Sequence, residues 1–180
     1  SKEEVLREIE RLHKETIRRI EEVLREATEL HKRLTETNKR RDHMVLHEYV
    51  NAAGITRRAD TPNVEELLRE LKDALDKVRD HNRKTLKKNE DVVREIEKEV
   101  RELLKEDEDV LRRIEKVMRD GRVDARELLE ESRREVERSE KEVERLLRKS
   151  RKVVEEVRKL SEENDREVKK ILEEVKRRLD

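Results

Sequence analysis

The chain has no cysteine, tryptophan or phenylalanine, a single tyrosine, a single proline and two glycines. Each shortage closes a class of protein. Without cysteine there is no disulfide framework and no thiolate to hold a metal or attack a substrate, so folding is indifferent to redox state. Without aromatics or frequent turn residues, neither a β-sandwich nor a doubly wound enzyme fold can be assembled. No run of 18 apolar residues is present, so no membrane-spanning helix and no membrane partner are expected. With no leader-like segment either, the expectation is a soluble chain suited to cytosolic expression. Neither sign of charge is in excess: 49 Lys and Arg stand against 49 Asp and Glu, mixed along every segment. A basic stripe for phosphate is therefore lacking, and nucleic acid is not an expected partner.

What remains is charge, 54% of the chain, and aliphatic residues recurring every three or four positions within an apolar total of 31%. An a/d seam fills two of every seven helical positions, about 29%, so each helix has one narrow apolar stripe and little more. Regular spacing argues against disorder, which such a charged composition would otherwise suggest. The 180 residues are expected to form one domain.

Punctuation divides the chain into three helices. Ser1 with Glu4 has the form of a capping box, opening a helix predicted over about 2–57. Its stripe runs Val5, Ile9, Leu12, Thr16, Ile20, Val23, Ala27, Leu30, Leu34 and Asn38, then Val45, Tyr49 and Ala52 or Ala53. Thr61 as cap and Pro62 at the first helical position open a second helix over about 62–119, with Leu68, Leu71, Leu75, Val78, Thr85 and Val93 in its stripe. Gly121 supplies a left-handed terminus. Asp124 with Glu127, stapled by Val123 and Leu128, opens the third helix over about 124–179, whose stripe includes Val143, Leu146, Val154, Leu160 and Val168. Equal lengths and short connections predict an all-α, monomeric, up-down-up three-helix bundle with helices of about 55 residues.

Polar residues interrupt the stripes where leucine would be ordinary. With antiparallel, end-aligned helices they fall into shared layers: His13, Asp107 and Ser132 or Ser139; His31, Asn89 and Ser150; Asn38, Asn82 and Ser161. Such layers are the expected mark of buried hydrogen-bond networks that fix register and pairing. Catalysis is a poorer reading. Glu10 and His13 give one Glu-x-x-His pair where a dimetal bundle needs two, and His47-Glu48 begins a zinc-protease motif but has Asn51 where its second histidine must stand. His43 and His47 have the spacing to bind a stray transition metal, a reading weighed against simple inheritance of that segment. No enzyme, no cofactor and no dedicated metal site are expected.

One segment is foreign to this style. Arg41, Asp42, His43, Met44, Val45, Leu46, His47, Glu48, Tyr49, Val50, Asn51, Ala52, Ala53, Gly54, Ile55 and Thr56 hold the only tyrosine, one of two methionines, one of two glycines and a solid apolar trio. They also alternate with period two: Met44, Leu46, Glu48, Val50 and Ala52 would line one face of a strand. All sixteen resemble the eleventh strand of green fluorescent protein in its split-reporter form. The resemblance implies that this segment completes a barrel of strands one to ten, with Glu48 standing at the acidic position beside the chromophore. The remaining chain resembles, in style, designed latching cages of the LOCKR type. Together these imply a caged recognition peptide whose partner is the barrel fragment, with a helical key that displaces helix one as a second candidate partner. Two plainer expectations stand beside it: a static designed bundle displaying a tag, and a component of a designed oligomer.

Overall fold

The computed structural model describes residues 2–122 and 124–179. They form three long helices: α1 over Lys2–Arg58, α2 over Val64–Asp120 and α3 over Ala125–Leu179. No strand is present among the described residues. The all-α, three-helix class read from the stripes is the one observed.

The helix ends follow local chemistry. Gly121 has φ 71°, the left-handed conformation in which a glycine pays no Cβ penalty. Asp124 caps α3 by accepting the Arg126 amide N–H at 3.0 Å. Between α1 and α2 the chemistry differs from expectation. The Thr61 hydroxyl is buried and makes no hydrogen bond, so it does not cap. Instead the Thr61 carbonyl accepts from Val64 N–H at 3.3 Å across Pro62, and Asn63 supplies the carbonyl for the first full helical bond, from Leu67 at 3.0 Å. Proline suits the second position of such a turn because its φ is preset. Asp60 takes φ 49° at the end of α1, a conformation that aspartate tolerates better than most residues. The expected cap at Ser1 and the staple residue Val123 lie outside the described residues.

The chain divides into two compact units, each crossed by all three helices: Ser1–Leu30 with Val93–Lys152, and His31–Val92 with Val153–Asp180. In the first, Leu6, Ile9 and Ile114 form a buried cluster flanked by Val5, Val110, Met118, Leu128 and Leu129. Arg19 of α1 pairs with Glu140 of α3 at 3.1 Å, and Arg145 of α3 with Glu99 of α2 at 2.8 Å. In the second, Val45, Ala52, Leu71, Leu75, Val78, Val168 and Val175 make the core, with Tyr49, Ile171, Leu172 and Leu179 packed on it. In the second unit, ion pairs likewise join α1 to α3 through Arg41 and Asp165 and α1 to α2 through Asp42 and Arg83.

Four apolar core positions fall one residue from the predicted stripe. Leu6 is buried and Val5 is half-buried, Leu67 is buried and Leu68 is half-buried, Leu86 is fully buried where Thr85 was expected, and Val153 is buried while Val154 is 52% exposed. Neighbouring residues lie about 100° apart on a helix, so where two candidates stand side by side, packing against the partner helices decides between them.

Candidate functional site

Arg41 to Thr56 lies inside α1, in the second unit, and is helical from end to end. Its inward face is Val45, Ala52, Ala53 and Thr56, all buried, with Tyr49 half-buried rather than buried as expected. The Thr56 side chain is fully buried because its hydroxyl donates to the Ala52 carbonyl one turn back, at 2.8 Å, which removes the cost of burying it. The outward face carries Leu46 at 58% and Val50 at 59% exposure. Ordinary amphipathic design would not leave both in water.

The reason is a conflict of periods. Met44, Leu46, Glu48, Val50 and Ala52 would share one face of a strand. Wound at 3.6 residues per turn they scatter: Ala52 points into the core, Met44 and Glu48 are half-buried, and Leu46 and Val50 face solvent. A sequence with period two cannot give a helix a continuous stripe, and this segment offers its neighbours mostly small residues.

Charge anchors its beginning. Arg41 donates to Asp165 of α3 at 3.1 Å, while Asp42 receives Arg83 of α2 at 3.3 Å and sits 3.8 Å from Arg79. Adjacent residues thus tie α1 to both neighbours. Arg79 and Arg83, one helical turn apart opposite Asp42, are the signal of this anchoring that the sequence carries. Further along, His47 and Asn51 are hydrogen-bonded at 3.2 Å, and Gly54 is half-buried with only the Arg58 guanidinium near the place a Cβ would occupy.

The buried polar residues meet only in part. In the first unit, Ser139 Oγ donates to Asp107 at 3.0 Å across α3 and α2, which selects Ser139 over Ser132 as the partner. His13 is 1% exposed with neither ring nitrogen bonded, and Ser132 Oγ and the second Asp107 oxygen are also without a partner. Burial holds the His13 imidazole below its ordinary pKa. Burial likewise pushes Asp107 up to about 6, with Ser139 opposing and Glu135 and Glu106 adding to the rise. In the second unit, Asn89 donates to Thr85 of its own helix at 3.0 Å, while both amide atoms of buried Asn82 and the Asn38 oxygen find no partner. His31, Ser150 and Ser161 are each half-buried. Cross-helix networks were expected; Ser139 to Asp107 is one bond that crosses, while side chains such as Asn89 and Thr16 turn back to their own helix.

Among the described residues no group of three or more His, Asp or Glu side chains is placed to hold a metal ion, and no helix is long and apolar enough to cross a membrane. Comparison with protein-family models, with curated proteins and with solved structures finds no match.

Proposed function

We propose that this chain is a designed helical cage that stores the eleventh strand of split green fluorescent protein in a non-binding conformation. The observation that carries the reading is the helicity of Arg41–Thr56, a segment whose sixteen residues alternate as a strand and resemble that strand throughout. Strand addition needs the peptide's N–H and C=O groups available to a sheet edge. In α1 they bond to one another along the helix, and the side chains that would face the barrel interior are dispersed. Helix and strand exclude each other, so binding must first unwind this part of α1.

The apparent affinity for the barrel fragment is then the intrinsic affinity reduced by the fraction of open molecules. A helical key resembling α1 would raise that fraction by competing for α2 and α3. The test is to mix the full chain with the fragment of strands one to ten and follow fluorescence, beside a Leu34→Asn variant and the free sixteen-residue peptide. Leu34 is 2% exposed and outside the segment, so its loss loosens α1 without altering the strand. The expected order of rates is peptide, then variant, then parent chain. Equal rates for all three would mean a displayed tag with no cage.

A further inference from the structure

His43 and His47 are both exposed, one turn apart on α1, and with Met44 they border a groove against Ser161 and Asp165 of α3. Two imidazoles at i and i+4 stand about 5–6 Å apart at their Cβ atoms, a spacing at which both can ligate one ion. In an extended strand the same two residues lie roughly 13 Å apart along the chain. With metal–nitrogen bonds of about 2 Å, one ion joining both rings fits the helix and not the strand.

We propose that His43 and His47 form a two-point chelate for a divalent transition ion such as Zn2+, water completing its coordination, and that the bound ion locks Arg41–Thr56 as helix. The locking half rests on the caging read above; the chelate does not. The surroundings favour ions bound through imidazole over hard cations. Arg40 and Arg41 border the same groove, and the Asp165 carboxylate is already engaged by Arg41 at 3.1 Å, so Mg2+ finds no oxygen cluster. The ion must displace the Asn51 contact to His47, which leaves the chelate modest in strength. A ligand that binds only the helical form at a hundred times its dissociation constant lowers the open fraction about a hundredfold.

Calorimetric titration of the full chain with ZnCl2 should give one ion per chain, a tenfold or greater loss of affinity in His47→Asn, and no such site in the His43→Asn/His47→Asn double variant. The remaining histidines, His13, His31 and His81, are unchanged in that comparison. Saturating Zn2+, but not Mg2+, should slow hydrogen exchange of amides 43–51 in the parent chain alone. Equal affinity in parent and double variant, or no added protection on saturation, overturns the chelate. For the lock, the rate of complementation with the barrel fragment is compared with and without Zn2+ within each variant. Slowing confined to the parent supports it, and equal ratios in parent and double variant overturn it. If Zn2+ binds and protects the helix while even Leu34→Asn fails to complement, the chelate stands and the caging reading falls.

Discussion

Two stretches of α1 obey different rules. Up to Leu30 the helix buries Leu6, Ile9, Ile20, Val23 and Ala27 at regular spacing, with Ile9 and Ile20 fully inaccessible. From Arg41 to Thr56 it buries one valine, two alanines and a threonine, and leaves Leu46, Val50 and Ile55 exposed. The helix of the second stretch is the poorer for it: less apolar area leaves water per turn, and at about 25 cal/mol per Å² that lowers its share of stability. Local stability along a single helix is therefore uneven.

The contrast can be broken from either side. Ile20→Ala empties a fully buried site in the first stretch and should cost about 2–5 kcal/mol in denaturant unfolding. It should change complementation less than its stability cost implies if the segment opens locally. Val45→Asn removes the largest buried apolar group of the second stretch and sets an unpaired amide there, a loss of about 1–3 kcal/mol. Fluorescence with the barrel fragment should then develop at least several-fold faster than for the parent; an unchanged rate would show that Val45 does not hold the segment closed.

The pH dependence of the first unit tests its buried polar layer, with two limbs of opposite sign. Asp107 binds its proton more tightly when folded, about 6 against an ordinary 3.8, so its contribution is fully present below 3.8 and is lost as pH rises through about 6. His13 has a folded pKa below 6.5, so its contribution is present above 6.5 and is lost as pH falls below that value. Denaturation of Asp107→Asn from pH 4 to 8 should leave stability rising with pH. His13→Leu should leave it falling, by about 1–3 kcal/mol across the window. Identical pH profiles in the parent and both variants would remove these groups from the account.

Smaller changes sharpen the comparison within the segment. Gly54→Ala meets no close neighbour and should strengthen the helix by about 0.5–1 kcal/mol, slowing complementation a few-fold. Leu46→Glu and Val50→Glu should leave the unfolding free energy of the bundle nearly unchanged, within about 0.5 kcal/mol, because both sites face water. Both should nevertheless abolish complementation if the proposed function holds, because in the proposed strand they share the inward face. Loss of bundle stability instead would mean that these side chains pack in the helix after all.

Much of this architecture was legible in advance. Gly121 and Asp124 marked the second connection by their backbone chemistry, and the aliphatic spacing gave three helices. The Leu67/Leu68 and Val153/Val154 choices were not legible, since their phase depends on how the helices wind together. Nor was the fate of the polar layers. Alignment of residue numbers can bring His13 level with Asp107, but rotamers decide whether a bond forms, and Ser139 took it. Thr61 failed as a cap because Pro62 and Asn63 built a turn from backbone atoms alone. The change of style at Arg41–Thr56 was visible in its composition; its anchoring through Arg41 and Asp42 required knowing which side chains face it.

The internal bonding of α1 over Arg41–Thr56 has one more consequence, for solubility. A segment running Met44-Val45-Leu46 with strand alternation is, once extended, a template for pairing with copies of itself. Wound as helix it presents no edge, and the clustered charges at its ends, Arg40, Arg41 and Asp42 before it and Arg57 and Arg58 after it, stand where natural chains place residues that discourage stacking. Held as helix, the segment is withheld from other copies of the chain, so concentrated stocks should stay monodisperse for as long as α1 stays wound over these residues.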